Sequence, residues 1–350
     1  MTNFDDMKLA VQALSGGTNT VILDDLGMPS IMVVIPQYLA SDLIAGATQS
    51  VHPAFTVNGV NKPSVAISKY LNIVANNRAY SLPMQDPANI IDFDRSLQVC
   101  RNKGDGWGLT PMSLWSAIAL WCKKNGTQPH GNNSNGKDVA HPHEKGVATY
   151  SSGGTTCRTA TGSGPATWNH NWLPDGISDL NGNVWEWQAG MRLVAGEIQI
   201  IPYANCMSAT CDMGATSTEW KAIKADGTFV APGTAGTLKL DYVGGKVVVC
   251  TTITTQADSG VGGSFQTMTT ASGIVVPQIL KELTLFPADA DGYEGDYFYL
   301  NNGVGLERVP FRGGDWNFGA NAGVFNSTLY YPRSFVHTSF GFRSAFYGEL

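Results

Sequence analysis

The sequence predicts a loop-rich mixed α+β fold, and three observations carry that expectation. Forty glycines stand against only 14% charged residues, a balance that favours turns and loops over long solvent-facing helices. Short runs rich in Val, Ile, Thr and Tyr recur between the turns and read as strands. A few segments with apolar residues three and four apart read as amphipathic helices. At 350 residues the chain can bury roughly three quarters of its unfolded surface, in one large domain or two. No internal repeat of about 20 to 50 residues is visible.

Residues 1–16 give the first expected helix: Phe4, Met7, Val11 and Leu14 recur at helical spacing with Ala10 beside them, and Gly16 and Gly17 end it. Its apolar stripe packs on a neighbouring sheet or, alternatively, meets another subunit or a larger assembly. Strands are expected over 20–23 and 30–35, joined by the turn Asp24-Asp25-Leu26-Gly27. Pro111 starts a further helix whose Leu114, Trp115, Ile118, Ala119, Trp121 and Cys122 face the core, and Asn125-Gly126 ends it.

Residues 127–164, rich in Gly, Asn, Ser, Thr and His without periodicity, are expected as long loop. His130, His141, His143 and Glu144 have the residue types of a metal site. Pro142, however, biases its neighbourhood toward extended backbone and keeps two imidazoles off one helical face, so a surface loop is the expected reading. Asn181-Gly182 makes a tight turn into a strand where Trp185 and Trp187 bracket Glu186, expected as core support rather than catalysis. Strand character returns over 193–201 and over 238–255, the latter split by Gly244-Gly245. Loop is expected over 256–272 and a short helix or strand over 275–285. Asp289, Asp291, Glu294 and Asp296 then gather near Gly292 and Gly295. Their spacing lacks the full EF-hand pattern, so a solvated acidic turn is expected, with structural calcium left open.

Charge and composition exclude several classes. A net charge of −6, with no basic cluster beyond Lys123-Lys124, argues against a nucleic-acid partner, which needs a cationic face. Apolar runs such as 31–35 fall far short of the roughly 20 residues that insert in a membrane. Asp5 and Asp6 stand where a secretory leader carries positive charge, so synthesis in a cytoplasm is expected. The cysteines Cys100, Cys122, Cys157, Cys206, Cys211 and Cys250 lack zinc-ribbon spacing and are mostly expected as free buried thiols. Cys206 and Cys211, four residues apart in between, are the pair left open as a loop-closing disulfide.

The stretch 311–347, F-R-G-G-D-W-N-F-G-A-N-A-G-V-F-N-S-T-L-Y-Y-P-R-S-F-V-H-T-S-F-G-F-R-S-A-F-Y, is dense in aromatic side chains and charged only at Arg312, Asp315, Arg333 and Arg343. Rigid rings give contact area at little entropic cost, and Tyr, Trp and Arg dominate binding hot spots. Composition alone equally suits a C-terminal hairpin whose rings fill a core. The framework Gly313, Gly314, Trp316, Gly319, Ala320, Asn321, Ala322, Gly323, Val324, Phe325, Leu329, Arg333, Ser334, Thr338, Gly341, Phe342 and Arg343 resembles, without a gap, the variable region of diversity-generating retroelement variable proteins. The intact Gly182-Asn183-Val184-Trp185-Glu186-Trp187 resembles the hallmark of the related formylglycine-generating enzymes.

This resemblance implies a C-type-lectin fold of the formylglycine-generating-enzyme type over 18–350, preceded by an N-terminal helix or arm over 1–17. It also implies a helix at 66–70, a proline-marked turn at 80–83, a second helix from Asp94 and a turn at Gly104-Asp105-Gly106-Trp107. The variable region would occupy about 311–347. The diversified, ligand-binding positions implied between the framework residues are Asp315, Phe318, Asn326, Ser327, Thr328, Tyr330, Tyr331, Pro332, Phe335, Val336, His337, Ser339 and Phe340. Trp316, Val324, Phe325, Leu329 and Phe342 are expected to point inward and the interleaved residues outward. The implied role is a phage adhesin on a virion tail or fibre tip that recognises a host cell-surface protein or glycan, with other tail proteins or further copies of the chain as additional partners. The alternative is an oxidase like the formylglycine-generating enzymes. Their reactive thiol pair has no counterpart here, since no cysteine follows Cys250. No catalytic residue, metal ligand or cofactor is assigned.

Overall fold

The computed structural model describes residues 3–350, so the first two residues of the expected N-terminal helix lie outside the described residues. Helix α1 (Asn3–Leu14) packs on strand β1 (Asn19–Leu23) through half-buried Phe4, Met7 and Val11. Leu14 corrects the expected apolar face: it is 91% exposed where the chain reverses through Gly16 and Gly17.

The first sheet is antiparallel throughout. Its order is β1, β2 (Pro29–Pro36), Ser64–Ser68, Ser344–Phe346 and Trp107–Leu109. The turn between β1 and β2 is tied by Asp24 Oδ1, which accepts from Leu26 N (3.0 Å) and Met28 N (2.8 Å). Residues 66–70 are not the helix expected there. Val65, Ala66 and Ile67 are fully buried in a middle strand, and strands covered on both faces read as continuous apolar runs that periodicity does not separate from a buried helix. The second helix is present as Phe93–Arg101, capped by the Asp92 carboxylate on Arg95 N at 2.7 Å.

The helix at Met112–Asn125 follows Pro111 and ends at Gly126 in the left-handed conformation, as its sequence predicts. It lies against the central mixed sheet, with Trp115 Nε1 donating to the Val324 carbonyl at 2.8 Å. That sheet runs Val261–Ser264, Tyr297–Leu300, Gly323–Leu329, Phe311–Gly313, Trp185–Trp187 and Phe340–Phe342. The chain therefore leaves the edge of the central sheet at Phe342 and enters the first sheet at Ser344, with only Arg343 between.

A third sheet carries two hairpins, Met191–Val194 with Glu197–Ile200 and Lys239–Val243 with Lys246–Cys250, the latter turning at Gly244-Gly245 as expected. The long loop over 127–164 contains a hairpin that its sequence did not announce, Ala148–Ser152 with Thr155–Thr159. Its first strand is exposed along its whole length, so no buried face imposes alternation. Val261–Ser264 likewise adds a strand where loop was expected, and Gln278–Glu282 is helical. All six cysteines are buried and free. Cys206 and Cys211 are not bonded to one another. The Arg101 guanidinium instead donates to both of their carbonyls, at 3.3 and 2.9 Å.

Candidate functional site

Strand register decides which side chains of the C-terminal region meet solvent. Across the central sheet Thr328 pairs with Phe311, Phe311 with Trp187, and Trp187 with Phe342, so these share one face. The next row, Ser327, Arg312, Glu186 and Gly341, faces the other way. There Arg312 is fully buried and donates to Thr284 Oγ1 (3.0 and 3.1 Å) and the Val324 carbonyl (2.9 Å). Burial pushes its guanidinium down to about 9, with the Asp296 charge opposing.

Two glycines shape the entry to this region. Gly314 sits at φ +86°, and a Cβ there would lie 2.5 Å from the Ala322 Cβ. Gly323, at φ +151°, admits Asp296, whose Oδ1 would be 2.1 Å from an added Cβ. Asp296 reaches past it to accept from Phe325 N at 2.6 Å. Its burial corrects the solvated acidic turn expected over 288–296: Asp289, Asp291 and Glu294 are exposed, but Asp296 is 2% exposed and burial holds its carboxyl well above the ordinary range. Among the described residues, no group of three or more His, Cys, Asp or Glu is placed to hold a metal ion. In the 127–164 loop His130 and His141 stack at 3.8 Å, one bonded to Glu144 (2.9 Å) and the other to Asp138 (3.2 Å).

On the first face the sheet floors a cleft of about 390 Å³. Trp185, Phe311 and Phe340 form the base, with Trp185 edge-on to Phe311 at 5.0 Å and Phe311 tilted against Phe340 at 4.7 Å. Phe318 closes one side, 4.8 Å from Trp185 and 5.9 Å from Tyr299. Opposite stand Tyr331 and Phe335, stacked parallel at 3.6 Å, with Tyr330 beside them at 4.5 Å. Asp315, only 9% exposed, lies in the lining, and its Oδ1 accepts from Asn317 N at 3.4 Å. Burial pushes this carboxyl up, while hydrogen bonding from Ser339, Asn317 and Trp185 works the other way. His337 Nδ1 and Ser339 Oγ are 2.9 Å apart on the rim side.

The implied ligand positions are thus divided by the fold. Asp315, Phe318, Thr328, Tyr330, Tyr331, Phe335, His337, Ser339 and Phe340 all line this one cleft. Val336 is exposed and Pro332 half-buried outside the lining. Asn326 and Ser327 are fully buried, which corrects the outward expectation. They lie on a middle strand buried along its whole length, where Asn326 Nδ2 donates to the Asn321 carbonyl at 2.7 Å and Ser327 belongs to the row behind the cleft. Thr328, Asp315, Ser339 and Phe340 are also buried by area, yet they form cleft wall rather than interior packing. The inward set behaves as expected, with Trp316, Val324, Phe325, Leu329 and Phe342 all buried. Trp185 does more than support the core, since it lines the cleft; only the register that sets it beside Phe340 reveals this. Tyr299 and Gly260 also enter the lining from outside the 311–347 stretch, and nothing in their local sequence marks them.

The sequence matches no protein-family profile and no curated protein. Solved structures similar to the chain include the Major Tropism Determinant P3c variant, at 10% identity over 94% of this chain and 71% of that one, TM-score 0.33. Treponema denticola variable protein 1 is similar at 12% identity over 94% and 98%, TM-score 0.36. The Major Tropism Determinant M1 variant is similar at 11% identity over 94% and 71%, TM-score 0.33.

Proposed function

We propose that this chain is a ligand-binding protein of the diversity-generating retroelement variable class and that its aromatic cleft is the diversified recognition surface. One observation carries the reading. Nine of the positions that the sequence framework leaves variable, spread in order between Asp315 and Phe340, converge on a single cleft, while the framework side chains Val324, Phe325 and Leu329 are buried. A rigid sheet under exchangeable side chains lets recognition change without unfolding the scaffold.

The finer reading is a C-type-lectin domain over 18–350 of the formylglycine-generating-enzyme type, with 1–17 as an arm. It is carried on a phage tail or fibre tip, is synthesised in the host cytoplasm and binds a host cell-surface protein or glycan. Other tail proteins or further copies of the chain complete the assembly. The cleft lining contains no cysteine, which supports binding over thiol-based oxidation.

Exchanging the nine cleft-lining residues for another natural set tests the proposal. The expected result is attachment to different cells with circular dichroism and melting temperature nearly unchanged. Unaltered attachment overturns it and moves recognition elsewhere on the surface.

A further inference from the structure

The cleft's charge pattern names a ligand chemistry. Its lining holds one buried carboxylate, Asp315, no lysine or arginine, and one imidazole, His337, whose Nδ1 lies 2.9 Å from Ser339 Oγ on the rim. Nearby guanidinium groups are committed elsewhere. Arg312 lies behind the sheet, Arg333 is engaged by Glu307 (2.7 Å) and Asp94 (2.8 Å), and Arg308 is directed to Asp258 at 3.9 Å. Around the carboxylate stand Trp185, Phe318, Phe340 and the Tyr331–Phe335 stack. Ring faces carry negative potential and attract cations more strongly as water is excluded.

We propose that this cleft seats an organic cation over Asp315, its alkyl part against the aromatic walls. The site rests on the reading of the cleft as the recognition surface. An anion meets the wrong electrostatics here, because it faces the Asp315 carboxylate with no lysine or arginine in the lining. The volume suits one ammonium or guanidinium side chain and its stem rather than a run of sugar rings. Two sources share this chemistry, a lysine or arginine of a protein receptor and the choline of a surface headgroup.

The test is a titration of the full chain, followed by NMR of the Trp185 indole, with four probes: Nα-acetyl-lysine methylamide, Nα-acetyl-arginine methylamide, phosphocholine and the neutral Nα-acetyl-norleucine methylamide. At least one cation is expected to bind about tenfold more tightly than the norleucine probe, a ratio in keeping with a partly desolvated cation over aromatic rings. Preference for the amino-acid probes assigns a protein source, and preference for phosphocholine assigns a headgroup. Asp315→Asn is expected to abolish the preference. Phe318→Leu, at a half-buried position that keeps the fold intact if Asp315→Asn does not, is expected to reduce it several-fold. Equal binding of the norleucine probe, an unchanged preference in Asp315→Asn, or no saturable cation binding overturns the inference. Those outcomes leave the cell-attachment exchange free to succeed. Conversely, cation binding with unaltered attachment in that exchange sinks the receptor reading alone.

Discussion

Arg343 and Glu186 meet in a two-pronged ion pair, Nε to Oε2 at 2.6 Å and Nη2 to Oε1 at 2.7 Å, with neither side chain more than 1% exposed. The same guanidinium donates to the carbonyls of Ser68 and Ser178, each at 3.0 Å. One side chain thus ties the Trp185–Trp187 strand of the central sheet to the first sheet, at the point where the chain passes between them. The fork of five N–H donors is what lets a single residue serve three backbone segments, and lysine does not replace it.

Removing one partner leaves the other charged and buried, which costs about 3 to 5 kcal/mol. Glu186→Ala and Arg343→Met are each expected to lower stability by that amount in urea denaturation. The double substitution Glu186→Met with Arg343→Leu is expected to recover part of the loss, because an apolar pair leaves no orphaned charge. A double variant worse than the sum of the singles contradicts this account.

Phe325 is fully buried between Phe265 (5.6 Å) and Tyr293 (4.8 Å) behind the cleft. Phe325→Ala is expected to cost about 3 to 5 kcal/mol. Phe335→Ala removes one member of a half-buried stack and is expected to cost about 1 kcal/mol. Similar midpoint shifts for the two would mean that the cleft wall is structural core.

Two buried histidines link stability to acid. Burial pushes His52 down to about 4 and His170 to about 3, from an ordinary 6.5. His170 Nδ1 accepts from Ile177 N at 2.8 Å, which needs the unprotonated nitrogen. Because the unfolded chain takes up these protons first, each histidine contributes stability that is present above pH 6.5 and lost as pH falls toward its folded value. Asp179, raised by burial to about 6, has the opposite sign, its contribution being lost as pH rises through that value. The stability gap between the native chain and His170→Gln is therefore expected to shrink by about 1.4 kcal/mol per pH unit below pH 6. A gap independent of pH in urea titrations removes His170 from this role.

The buried thiols are expected to be inert. Burial raises Cys100, Cys122, Cys206, Cys211 and Cys250 above the ordinary thiol value. Ellman's reagent is expected to react slowly in buffer and with six thiols per chain in denaturant. Incubation with copper and a Cys-x-Pro-x-Arg peptide is expected to leave the peptide unchanged. Turnover above a metal-only control would restore the oxidase alternative.

What the sequence made legible was local. The helix between Pro111 and Gly126, the turn at Gly244-Gly245 and the Asn181-Gly182 entry to Trp185 each carry their own start and stop chemistry. Residues 66–70 carried no such signal, because an apolar middle strand is defined by the strands on either side of it. The cleft was half legible for the same reason. The resemblance implied which positions lie between framework residues, but only the pairing of Phe311 with Thr328 and of Trp185 with Phe340 sorts Thr328 into the cleft and Ser327 behind it. Tyr299 joins from a parallel neighbour strand, a contact no local pattern encodes.

The Ser344–Phe346 strand lies inside the first sheet, between Ser64–Ser68 and Trp107–Leu109. Its partners are made much earlier on the ribosome, yet they wait for this distant strand before the sheet closes, and such distant pairings form late. A stop codon or frameshift anywhere in 311–342 deletes or scrambles that strand, along with Arg343. Such a chain is left with an open sheet and an unpaired Glu186. Such a product is therefore expected to fail at folding, before recognition is tested.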